Sequence, residues 1–203
     1  LPGYCSGNYP ARGADRLPAD LALSAPTIEG IRTMHALRGD HVILRQLTTA
    51  DQSLLLAIMT DPSVARWWGA WDASKIQAEL IDQPEDEGVV LGIEVDGELA
   101  GIIQFYEEPD PQYRHASVDI SIGSAWQGRE LGPDAIRTVI RHLFDERGHH
   151  RITIDPAVTN TAAIRAYAKV GFKPVGIMRQ YEQGPDGSFH DGLLMDLLKD
   201  DFQ

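Results

Sequence analysis

The segment from Ala116 to Phe172 restricts the fold more than any other part of the chain. It opens with a clean alternation, in which Ala116, Val118, Ile120 and Ile122 share one face of an extended run and Ser117, Asp119 and Ser121 share the other. Gly132-Pro133 then starts a helix, with Pro where no backbone N–H is needed. Ile136, Val139, Ile140, Leu143 and Phe144 form a full apolar stripe along it, and Gly148 ends it. Arg151–Ile154 reads as a short strand closing at Asp155-Pro156, and Asn160 or Thr159 caps a second helix that runs to Val170 and stops at Gly171. Strand, helix, strand and helix in direct succession require some parallel pairing, because only a crossover can join such strands.

The flanking regions add antiparallel pairing. Residues 41–47 read as a strand, followed by a helix capped by Thr49 or Asp51 that reaches about Met59 and is stopped by Asp61-Pro62. A second helix is expected over 72–81, ended by Pro84. Val89–Val95, Asp96-Gly97 and 99–106 form a hairpin signature, because Asp-Gly suits a two-residue type I′ turn. Two last strands, near 172–181 and Phe189–Leu198, are joined by the turn-rich Gln183-Gly184-Pro185-Asp186-Gly187. The order β α α β β β α β α β β describes one mixed α/β (α+β) domain over residues 34–203, a mixed central sheet with flanking helices.

Residues 1–33 differ in kind. They are rich in Pro and Gly, lack apolar periodicity, and their charges cancel, with Arg12, Arg16 and Arg32 against Asp15, Asp20 and Glu29. They read as a flexible leader or upstream extension, Met34 standing just before the first strand. The net charge of −12 therefore belongs to the domain. A phosphate backbone would be repelled by that field, which argues against nucleic-acid binding; a cationic substrate would be drawn in. No apolar run is long enough for a membrane helix, and the first ten residues lack the regions of a secretory signal. Together with the single cysteine, Cys5, this makes the cytoplasm the expected location. Monomer and homodimer stay equally open.

Nucleotide-binding, zinc-protease and serine-hydrolase motifs are missing, and His149-His150 reads as a polar connector rather than a metal site. Two pieces that bear on chemistry remain. Trp126-Gln127-Gly128-Arg129-Glu130-Leu131-Gly132-Pro133 links a strand to a helix N-terminus, which is either an anion site or merely a turn. The second piece runs from Asn160 to Phe172. Its Tyr167 shares a face with Ile164 and Val170, so it is either a core tyrosine or, protonated with a reference pKa of about 10, a proton donor.

Gln127 and Gly132 at a helix start, followed by Asn160, Ala163, Ile164, Tyr167, Gly171 and Phe172, resemble the acetyl-coenzyme A signature of the GNAT N-acetyltransferase superfamily. Arg66-Trp67-Trp68-Gly69, Gly101 to Gln104, Asp119 and Ile154-Asp155-Pro156 are similar to the aminoglycoside 6′-N-acetyltransferases within it. The resemblance implies the GNAT fold, no metal, and acetyl-CoA as co-substrate, held by Ile120, Ile122, Gln127, Gly128, Arg129, Leu131, Gly132, Pro133 and Asn160. It makes Asp119 the general base, Asp155 a positioning or shared base, and Tyr167 the donor to the departing thiolate. Trp67, Trp68, Gln104, Asp119 and Asp155 would contact a small cationic amine, with an aminoglycoside first. A hydroxylysine-type siderophore precursor, a peptide amine and a non-catalytic acyl-CoA-binding domain are the alternatives. Without the resemblance, Asp119 could be a ladder residue, Asp155 a turn residue, and one of the two tryptophans core.

The chain departs from the family at Glu130, where Gly is usual. A carboxylate aimed at a pyrophosphate would be repelled by up to about 4 kcal/mol at 4 Å in an effective dielectric near 20. Glu130 is therefore expected to point outward.

Overall fold

A computed structural model describes residues 35–84 and 88–203. The leader read over 1–33 and the acidic Glu85, Asp86 and Glu87 lie outside the described residues. The strands are β1 (Leu37–Arg38), β2 (Ile43–Gln46), β3 (Val89–Val95), β4 (Glu98–Glu107), β5 (Ala116–Ile122), β6 (Arg151–Ile154), β7 (Lys173–Gln183) and β8 (Phe189–Leu198). The helices are α1 (Gln52–Thr60), α2 (Pro62–Trp68), α3 (Ala73–Ile76), α4 (Leu131–Arg141) and α5 (Thr161–Val170), with π-helical turns extending α3 to Ile81 and α4 to Glu146.

The eight strands of the described residues join one sheet in the order β1-β2-β3-β4-β5-β6-β8-β7. Its neighbours are antiparallel except β5 and β6, the parallel pair that the strand–helix succession demands. Asp96 and Gly97 both take positive φ (52° and 85°), the type I′ turn expected between β3 and β4. The main core lies under α4, whose Ile136, Val139, Ile140 and Leu143 are fully buried against the strands. A smaller core packs α1, α2 and α3 onto the other part of the sheet, around Leu55, Met59, Ile76 and Ile102.

The structure adds β1 and α2 to the expected order, and two details position the site. Asp61-Pro62 does end α1, but it also starts α2: the Asp61 carboxylate accepts from the Ser63 N–H at 2.8 Å with Pro62 in the first turn. Trp67 and Trp68 are thus helical, and Gly69 at φ 72° closes that helix. The second detail is Asp134, in the first turn of α4 and buried. Its carboxylate accepts from the N–H groups of Asp40, His41 and Val42 at 3.0, 2.7 and 3.1 Å. A Cβ at Gly39 would lie 2.5 Å from Thr138 Oγ1 and 2.8 Å from Asp134, so this clip needs the glycine. It ties the start of α4 to the β1–β2 turn.

Candidate active site

β5 and β6 pair only at Ala116↔Ile152 and Ser117↔Thr153, and β5 then runs on as the two strands part. A cleft of about 580 Å³ opens along the parted strands, between α4, α5 and α2. Asp119 lies two residues beyond Ser117 and Asp155 two beyond Thr153, so parallel register brings both carboxylates to the same level of the opening.

One end of the cleft is mostly backbone. Gln127 Nε2 donates to the Ile122 carbonyl at 2.8 Å and to Ser63 Oγ at 3.4 Å, folding the loop back beneath α4. Gly128 takes φ 74°, and a Cβ there would meet nothing within 4 Å, so its backbone is open to an approaching group. The first intrahelical bond of α4 runs from Asp134 N to Glu130 O, so the N–H groups of Leu131 and Gly132 precede the hydrogen-bond ladder. Both residues line the cleft, where such groups and the helix dipole favour an anion. Arg165 and Lys169, one helical turn apart on α5, line the facing wall.

Glu130 is the N-cap of α4 at φ 60°, a left-handed conformation that glycine adopts freely and glutamate at a cost on the order of 1 kcal/mol. Its carboxylate does not cap the helix; it accepts from Lys169 Nζ at 2.5 Å across the cleft mouth.

The other end is acidic and made of side chains. Gln104 on β4 is buried and sits opposite Asp119 in register, donating through Nε2 to Asp119 Oδ2 at 3.4 Å. Burial and then the like charge of Asp155 push the Asp119 carboxyl up to about 7, while the Gln104 hydrogen bond opposes the rise. Tyr167 is buried against Phe172 in the main core and also lines the cleft. Burial and the charges of Asp119 and Asp155 push its phenol above the ordinary range, which keeps it protonated at neutral pH. Burial and Asp119 also push the Glu182 carboxyl up, against the opposing effect of His190. Ser121 adds a buried Oγ with no hydrogen-bond partner among the described residues, an orphan of the kind a ligand satisfies.

All four tryptophans of the chain, Trp67, Trp68, Trp71 and Trp126, line this cleft. Trp68 and Trp71 pack against the smaller core, whereas Trp67 carries the Arg66 guanidinium over its ring at 4.8 Å. Lys75 lies over Trp71 at 4.0 Å and Arg129 over Trp126 at 4.7 Å.

The structure therefore gathers Asp119, Asp155, Tyr167, Gln104, Trp67, Trp68, Ile120, Ile122, Gln127, Gly128, Leu131, Gly132, Pro133 and Asn160 around one cleft. Arg129 is not among its lining residues; its side chain stacks on Trp126. Asn160 Oδ1 is engaged as the cap of α5, accepting from Ala163 N at 3.2 Å. Glu182, Glu79, Trp71, Arg165 and Lys169 line the cleft and were not read from the sequence. Trp71 had a signal, three residues after Trp68. Glu182 had none: three residues of β7 between Met178 and Glu182 stand against the single residue, Asp191, between Gly192 and His190, and this bulge breaks the alternation. His149 is buried, its Nε2 2.6 Å from Glu107 Oε1, and among the described residues no group of three His, Cys, Asp or Glu side chains could hold a metal ion.

The acetyltransferase (GNAT) domain model matches residues 41–173, and the chain belongs to the GNAT acetyltransferase family. It is similar to the aminoglycoside N(6′)-acetyltransferase type 1 of Klebsiella pneumoniae, 31% identical over 166 residues that cover 73% of this chain and 80% of that protein. A putative ribosomal protein bS18-alanine N-acetyltransferase of Bacillus subtilis is 29% identical over 55% of this chain and 70% of its own length. Among solved structures, a probable acetyltransferase superposes with a TM-score of 0.74 at 22% identity, over 83% of this chain and 99% of that one. An aminoglycoside acetyltransferase in complex with coenzyme A and kanamycin does so with 0.65 at 23% identity, over 78% and 95%. The mixed sheet is thus the GNAT fold, and the protein is an acetyl-CoA-dependent N-acetyltransferase.

Proposed function

We propose that the acceptor is a polycationic amino sugar and that the enzyme acetylates the 6′-amine of an aminoglycoside antibiotic, conferring resistance. The observation that carries this reading is the convergence of Asp119, Asp155 and Glu182 on one end of the cleft. Asp155 raises the proton affinity of Asp119, and Asp119 that of Glu182; a substrate bearing several ammonium groups relieves that repulsion on binding. The 31% identity to an aminoglycoside N(6′)-acetyltransferase supports the same substrate class. The domain occupies residues 34–203, and the enzyme works in the cytoplasm, where acetyl-CoA is made.

Bound acetyl-CoA supplies an acetyl group activated as a thioester. Its anionic portion fits the Leu131 and Gly132 N–H groups, the open backbone at Gly128 and the cations of α5. Asp119 accepts the proton that the incoming ammonium must lose, and an affinity near neutrality suits a base that works at neutral pH. Gln104 orients that carboxylate through its Nε2 hydrogen bond. Asp155 holds the cation in place at the level of Asp119, and the Tyr167 hydroxyl donates a proton to the sulfur that departs.

Thiol release from acetyl-CoA, measured across kanamycin-type sugars, hydroxylysine and short peptides, tests the reading. Turnover restricted to the amino sugars supports it. Faster turnover of hydroxylysine, or of peptides with a free N-terminus, replaces the substrate class while leaving the acetyltransferase intact.

A further inference from the structure

The Glu130–Lys169 ion pair lies at the α4 end of the cleft, where the proposed function puts the anionic part of coenzyme A. Glu130 Oε1 and Lys169 Nζ are 2.5 Å apart, and both residues line the cleft. Their side chains are 63% and 57% exposed, and so open a pair contributes little to holding the fold. Nor does the carboxylate cap α4, and the position it occupies has the left-handed backbone that favours glycine. Neither stability nor capping accounts for a glutamate here. Among the described residues its carboxylate pairs with Lys169, a cation lining the same cleft as the first turn of α4.

We propose that Glu130 is a resident counter-ion for Lys169, which the diphosphate of coenzyme A displaces on binding. In the empty cleft the carboxylate neutralises a cation that would otherwise stand beside Arg165 one turn away on α5. When the diphosphate arrives at the α4 N-terminus, Lys169 exchanges one anion for another, and Glu130 swings into solvent. The exchange leaves the coenzyme with less net attraction than an unpaired lysine would offer, so residue 130 sets the coenzyme affinity. The N-terminus of α4 attracts the diphosphate by itself; Glu130 and Lys169 adjust how strongly.

The inference rests on coenzyme A binding at this end of the cleft, and one calorimetric experiment separates the two ideas. Coenzyme A is titrated into the unaltered protein, Glu130→Gln and Lys169→Met at low salt and again at 0.5 M salt. Glu130→Gln is expected to tighten binding at least threefold and Lys169→Met to weaken it at least threefold, with both shifts shrinking at high salt. Dephospho-coenzyme A, which keeps the diphosphate, should show the same two shifts. The acceptor KM and the melting temperature of the ligand-free protein should stay unchanged in Glu130→Gln, which a merely structural role would move. No binding to the unaltered protein overturns the placement of the coenzyme. Binding with affinities within twofold across the three proteins overturns the counter-ion proposal alone. Shifts that vanish with dephospho-coenzyme A overturn its assignment to the diphosphate.

Discussion

The two ends of the cleft hold charge in opposite ways. At the α4 end the attraction comes from backbone N–H groups of the first turn and from exposed cations on α5. At the other end it comes from carboxylates on β5 (Asp119), just past the end of β6 (Asp155) and on β7 (Glu182), shielded enough for Asp119 to titrate near 7. Charge in the first place is screened and exchangeable, whereas charge in the second is desolvated and therefore chemically responsive. The difference teaches that a binding end can be built from geometry that tolerates substitution, while a reacting end depends on individual side chains.

The sharpest test of that contrast is Asp119→Asn. The rate at saturation should fall by about 10²–10⁴, the usual contribution of a general base, while coenzyme A binding measured by calorimetry stays within twofold. A loss under about tenfold would mean that the two ends do not divide the work as described.

Acidity should act next most strongly. A base with a proton affinity near 7 is lost as pH falls, so kcat/KM should drop about tenfold per unit below that point, to about one hundredth at pH 5. A profile flat from pH 5 to 8 would remove Asp119 from the reaction. Tyr167→Phe should cost about tenfold or less in kcat, since water can protonate a thiolate in its place. Stopped-flow detection of the released thiol distinguishes this from a binding defect.

Smaller effects separate steering from chemistry. Glu182→Gln should raise the acceptor KM several-fold and leave kcat and coenzyme affinity alone. Raising salt from about 0.1 M to 1 M should raise the same KM in the unaltered protein, because the screening length falls from about 10 Å to about 3 Å. The last effect is on stability. A carboxyl whose affinity is raised by folding binds its proton more tightly in the folded state, so it favours folding at low pH and works against it as pH climbs from about 4 to 7. Asp119→Asn should therefore melt several degrees higher than the unaltered protein at pH 8, with the gap narrowing as pH falls below 7.

The same contrast explains what could be read from sequence. The α4 end announces itself through Gly128, Gly132 and Pro133 beside a strong apolar stripe, because backbone geometry demands specific residue types at fixed spacing. The β3–β4 turn was equally legible at Asp96-Gly97. Glu182 was not, since a bulge rather than a pattern aims it inward, and Lys169 looked like any solvent-facing lysine near a helix end. The start of α2 was hidden because Asp-Pro signals both a stop and a start, and only packing decides between them. Asp134 was silent for the same reason: its three amide partners lie more than 90 residues away.

The placement of all four tryptophans around one cleft has a practical consequence. Light absorbed at the red edge, where the six tyrosines do not contribute, is emitted only from indoles that border the site. Trp126 adjoins the Gly128 loop, and Trp67, Trp68 and Trp71 belong to the wall formed by α2 and the segment after it. Intrinsic emission is therefore a label-free optical record of what enters the cleft, and melting followed by that emission tracks the site rather than the average of the sheet.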